Sequence, residues 1–180
     1  QEVIRVEQQY LGSILETHLL ERILSEYEVV TVFHLAAILS TRAEFTPVTG
    51  HQINVEGTLK LLDFAQAEGE SHGRAVVGLH PAPLASPARP CPDAKAAAGA
   101  VRENEWNEPT TMYGCNKLYC EQLGRYYARH YKQLAPETLS GKVDFRSIRF
   151  PGLISAFTVP SGGTSDFAPA MIHAAASGKP

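Results

Sequence analysis

Cysteine is scarce in this chain of 180 residues: Cys91, Cys115 and Cys120 are odd in number and form no Cys-x-x-Cys pair. That spacing argues against a disulfide framework and a structural zinc site, and leaves reduced, structural thiols. The seven histidines show no His-x-x-x-His or Glu-x-x-His pairing, so no metal is expected. No apolar run approaches the roughly 18 residues of a membrane span. The opening QEVIRVEQQY also lacks the basic-then-apolar layout of a secretory signal. A cytoplasmic chain without a membrane partner is the expectation. Basic clusters are missing too, with 16 Lys+Arg against 19 Asp+Glu and a formal net charge of -3. Nucleic acid is therefore not an expected partner. No internal repeat is visible.

What is present is 44% hydrophobic residues, enough for one sizeable core and hence one domain or part of one. The first residue is Gln, and MIHAAASGKP stops at a Gly and a Pro that normally lead into a further element, so the expectation is a segment cut from something longer. Ile14, Leu15, Leu19, Leu20, Ile23 and Leu24 recur at three and four, which predicts a helix between Ser13 and Tyr27. The β-branched and aromatic run from Val29 to Leu35 follows as a buried strand. A long helix is predicted over 46–67, entered near Pro47, and another over 110–134, with Thr110 or Thr111 as its N-cap and Pro136 beyond its end. Val143 to Phe150 reads as a strand and Asp166 to Ser177 as a helix. Strands separated by long helices imply a doubly wound parallel α/β sheet.

Residues 74–99 fit this order poorly. Only Ala75 to Leu79 resembles a strand, because Pro81, Pro83, Pro87, Pro90 and Pro92 each lack the ladder donor. The alanine-, proline- and arginine-rich composition of 74–92 is what a shifted reading frame in GC-rich DNA produces. Resequencing the gene across this stretch tests that hypothesis, and a verified unshifted gene ends it.

The chemistry concentrates at Tyr113-Gly114-Cys115-Asn116-Lys117. A spacing of four puts phenol and ammonium on one helical face. A phenol of ordinary pKa about 10 is a poor base at neutral pH, and a neighbouring cation favours the phenolate. Such a pair can pass a proton to or from a substrate hydroxyl. Tyr-x-x-x-Lys alone is a weak signal that an exposed amphipathic pair would also satisfy.

Three further motifs stand in order around it. They are VFHLAAILS at 32–40, Asn54-Val55-Glu56-Gly57-Thr58, and Arg149-Phe150-Pro151-Gly152-Leu153, with Glu121 four residues beyond Lys117. Together they resemble the extended short-chain dehydrogenase/reductases. That resemblance implies a Rossmann-like fold, incomplete at both ends here, and NAD as cofactor. It places Leu35, Ala36, Ala37, Asn54, Tyr113, Lys117, Phe150, Pro151, Gly152 and Leu153 at the dinucleotide. Residues 1–154 would be a partial nucleotide-binding domain, and 155–180 the start of a substrate-binding region.

DFRSIRFPGLIS followed by PSGGTSDFAPAMIHAA is similar to the L-threonine 3-dehydrogenase branch. This implies a small-molecule substrate held by Ser40, Tyr113, Thr164 and Ser165, with Tyr113 as base and Lys117 lowering its pKa and holding the ribose. A hydroxyl near Ser86 would polarise the substrate oxygen, although the family's Ser-Ser or Ser-Thr pair would fall near Leu84 and Ala85. The resemblance also implies a homodimer through the two long helices. Two alternatives are a nucleotide-sugar epimerase or dehydratase of the same fold, and a non-catalytic remnant. The second draws on a departure from the family pattern: no glycine-rich phosphate turn and no acidic residue selecting NAD over NADP lie upstream of Val29.

Overall fold

A computed structural model describes residues 6–73, 75–79, 102, 105, 107–136, 141–149 and 166–178. Helix α1 (Thr17–Glu26) leads into strand β1 (Thr31–His34). Helices α2 (Ser40–Phe45) and α3 (Pro47–His51), a π-helical turn (Gln52–Glu56) and helix α4 (Gly57–His72) follow. Then come β2 (Ala75–Leu79), α5 (Met112–Arg129), β3 (Val143–Ser147) and α6 (Phe167–Ala176). The predicted elements stand close to where the periodicity put them, with four differences. α2 falls where no element was expected, the helix expected over 46–67 is interrupted by the π turn and runs on to His72, the helix expected over 110–134 stops at Arg129, and β1, expected as a buried strand, buries only His34. Pro47 opens α3, where its missing N–H costs nothing. Gly73, at φ +113°, ends α4 in a conformation other residues rarely adopt.

The three strands form a parallel sheet in the order β1-β2-β3, with Thr31 opposite Val76 and Ala75 opposite Val143. Right-handed crossovers between strands laid down in sequence order place every connecting helix on the same face. Accordingly Leu62 and Ala65 of α4 and Tyr127 of α5 share one core with Val77 and Val143, joined by Val32, Leu123 and Phe145. A doubly wound sheet needs a reversal of strand order, and the described strands make up one winding of it. Phe33 alternates to the opposite face and is 79% exposed.

The helices lie close to the sheet because α4 and α5 present glycines to it. Gly69 faces Lys142, and a Cβ on Gly124 would lie 2.2 Å from the Phe145 ring. Gly124→Ala should therefore overpack the core and lower stability by about 1–3 kcal/mol, measured by urea denaturation. A neutral substitution would mean that Phe145 has room to turn away. At the lower edge of the sheet α4 also grips two strand entries: Glu68 Oε2 accepts from Val29 N at 3.0 Å, and Gln66 Oε1 from Lys142 N at 2.9 Å. No helix among the described residues is long and apolar enough to cross a membrane.

Candidate active site

In open parallel sheets ligands collect beyond the carboxyl ends of the strands. β1 ends there at His34, and the next residues open the loop carrying Leu35, Ala36 and Ala37. Leu35 and Ala36 are exposed and Ala37 is half-buried. Asn54 shapes this loop from below: its Oδ1 accepts from Ile38 N at 2.7 Å and its Nδ2 donates to Ile38 O at 3.0 Å. The same Nδ2 lies 3.5 Å from Asn116 Oδ1 on α5. Asn54 has no exposed surface. Its side chain, assigned to the cofactor by resemblance, is used here on the loop backbone.

Asn54 lies within the π turn, and its carbonyl oxygen accepts from Thr58 Oγ1 at 2.6 Å and from Cys120 Sγ at 3.2 Å. Because the only Thr58 hydroxyl proton goes to Asn54, the 3.0 Å contact between Thr58 Oγ1 and His34 Nε2 requires the histidine to donate. His34 thus carries a proton on Nε2. Burial, helped by the Lys117 cation, lowers its pKa from 6.5 to about 4.

This shift predicts an acid limb in stability. Between pH 6.5 and 4 the unfolded chain binds a proton that the folded chain refuses. The His34 contribution is complete above pH 6.5 and is lost as pH falls toward 4, about 3 kcal/mol in all. Urea denaturation of His34→Gln against the parent across this range should show a flatter limb in the variant. Parallel limbs would mean that His34 titrates normally.

Helix α5 supplies the reactive pair. Thr111 is its N-cap, accepting from Gly114 N at 3.1 Å, one of the two predicted caps. Tyr113 and Lys117 sit on one face, as their spacing requires, and both are buried, at 7% and 3% exposure. Lys117 Nζ lies over the Tyr113 ring, 5.5 Å from its centroid. The Tyr113 ring packs with Ala43, Ala37 and Ile38, so pair and loop meet.

The electrostatics correct one expectation. Burial raises the Tyr113 pKa, where the neighbouring ammonium was expected to bring it down. Burial also lowers the Lys117 pKa, with Cys120 acting weakly in the other direction. Desolvation wins because neither charged form faces water, and Nζ sits over the ring face. The phenol is therefore protonated at neutral pH.

Two other buried features were not assigned roles by the spacing of residues. Arg149 forks onto Glu121, Nε to Oε1 at 2.7 Å and Nη2 to Oε2 at 2.6 Å, and Nη2 also reaches Asn107 Oδ1 at 3.1 Å. This clamp ties the end of β3 to α5 one turn beyond Lys117. The His34–Thr58 bond is the other. Arg149, Glu121, His34 and Thr58 all lie inside the quoted motifs, the only signal that could have found them. Ser40 is buried in the first turn of α2, on the segment that covers Tyr113. Ser86, Phe150, Pro151, Gly152, Leu153, Thr164 and Ser165 lie outside the described residues.

The donor set fits a nicotinamide dinucleotide: an ammonium and a phenol stand beside a loop whose small Ala36 and Ala37 leave backbone open to an approaching ligand. A tyrosine–lysine pair on a helix beneath the carboxyl ends of a parallel sheet defines the short-chain dehydrogenase/reductase class. Within it, the chain belongs to the NAD dependent epimerase/dehydratase family, whose model matches residues 2–180. An uncharacterized epimerase/dehydratase of Staphylococcus haemolyticus is 33% identical over 146 residues, covering 81% of this chain and 39% of that protein. L-threonine dehydrogenase of Clostridium difficile superposes with a TM-score of 0.73 at 28% identity, over 92% of this chain and 46% of that one. UDP-glucose 4-epimerase from Brucella ovis in complex with NAD superposes with a TM-score of 0.55 at 26% identity, over 68% and 34%. The chain thus spans about two-fifths of the length of the curated relatives it matches.

Proposed function

We propose that the chain is part of an NAD-dependent oxidoreductase that interconverts a secondary alcohol and its ketone, with L-threonine and 2-amino-3-ketobutyrate as the substrate pair. The observation that carries this is the buried Tyr113–Lys117 pair packed on the loop through Ala37. Leu35, Ala36 and Ala37 with Lys117 would hold the cofactor, and the chemistry a bound nicotinamide supplies is acceptance of a hydride. Tyr113 holds or takes the hydroxyl proton, Lys117 supports the phenolate that forms when the proton leaves, and Ser40 orients the substrate. The threonine assignment draws on the PSGGTSDFAP segment and on the likeness to threonine dehydrogenases. Threonine-dependent NADH formation is the test; turnover of a UDP- or dTDP-sugar instead would favour the epimerase reading. Thermal stability must also respond, since NAD at a hundred times its dissociation constant adds about 2.7 kcal/mol.

The proposal includes a homodimer through α4 and α5. Tyr119, Tyr126 and Leu59 are 55%, 39% and 37% exposed on these helices, an apolar face that a second copy would cover. Tyr119→Glu should then sediment as a monomer, and a parent protein that is itself monomeric would remove the dimer.

A further inference from the structure

Where the Tyr113 phenol stands is decided by the first turn of α5, because Tyr113 is its second residue. The opening N–H groups of a helix have no intrahelical partner, and an uncapped first turn frays. Thr111 satisfies one of them from next door. Glu44, on α2 and 68 residues away, satisfies another: its Oε1 accepts from Met112 N at 2.5 Å. A carboxylate is also the charge a helix N-terminus favours. α2 grips the same turn a second time through Ala43, which has no exposed surface and packs on the Tyr113 ring. On its far side Gly50 of α3 comes so near that a Cβ there would lie 3.1 Å from Ala43 Cβ. α2 is thus wedged between α3 and the start of α5, with Ser40 in its first turn.

We propose that Glu44 is a positioning residue for Tyr113: through the Met112 amide it locks α2 to the first turn of α5, so that Ser40 and the phenol form one rigid unit. The inference rests on the reading of Tyr113 as the proton-transfer group. Glu44 touches neither phenol nor substrate and acts only through the backbone it holds.

The test uses the whole protein with ring-13C tyrosine, the Tyr113 resonance being the one that disappears in Tyr113→Phe. Glu44→Ala should shift and broaden that resonance and speed amide exchange at Gly114 about fivefold, the worth of a lost cap. It should lower kcat about tenfold with KM little changed, as misplacement of a reacting group does. Glu44→Gln keeps an oxygen that accepts from Met112 and should behave like the parent. An unmoved Tyr113 resonance in Glu44→Ala overturns the proposal, as does Glu44→Gln matching the alanine variant. A moved resonance with unchanged kcat overturns it too, leaving Glu44 a structural cap. Turnover that survives Tyr113→Phe removes the premise, and the resonance data tell that failure apart from a failure of the Glu44 contact.

Discussion

Tyr113→Phe is expected to lower kcat by about two to four orders of magnitude while the chain keeps its fold. The ring fills the space bounded by Ala37, Ile38 and Ala43, and phenylalanine fills it equally. Only the proton-carrying oxygen goes. Because burial raises the Tyr113 pKa, the parent phenol is an acid in waiting at neutral pH. Ketone reduction can draw on that proton directly, whereas alcohol oxidation needs the phenolate. The oxidation rate should therefore climb as pH rises toward the phenol's pKa, and the reduction rate should hold level and then fall. Steady-state kinetics in both directions measure this. Oxidation that persists in Tyr113→Phe, or that is flat in alkaline buffer, would remove Tyr113 from the mechanism.

The second large effect is on stability. Arg149→Met strands the Glu121 carboxylate, whose side chain is 4% exposed, without the guanidinium that meets both its oxygens. Breaking one side of such a pair costs about 3–5 kcal/mol, because the remaining charge is buried and unmatched. For a chain of this size that lowers the melting temperature by about 10 °C. The double variant Glu121→Met/Arg149→Met should recover most of the loss, since two apolar side chains carry no desolvation penalty. If single and double variants melt together, the pair contributes nothing specific.

Much of this architecture was legible from local pattern. The three-and-four spacing in α1, the helical pattern of α5, the β-branched run of β1, the alternation of β3, Pro47 and the Thr111 cap are local signals, and the elements follow them closely. The site was legible in part. Tyr113 and Lys117 announce themselves by spacing, and Ala37 by its motif. The π turn was not readable, since Gln52–Glu56 carries no breaker, and its Asn54 is met by Cys120 and the Ile38 backbone from other segments. α2 was missed for a similar reason: its six residues are too few to show a period, and Glu44 and Ala43 acquire meaning only against α5.

By itself, the order of residues determined where the longer helices and the strands lie, that the strands run parallel, and that a phenol and an ammonium share a helical face, because these depend on periods of two and 3.6 and on chain connectivity. Tertiary structure decided the charge states and the partners. Whether a cation lowers a phenol's pKa or burial raises it depends on how much water packing leaves around both groups, and Ala43, Asn54 and Arg149 reach the site from positions far apart in the chain.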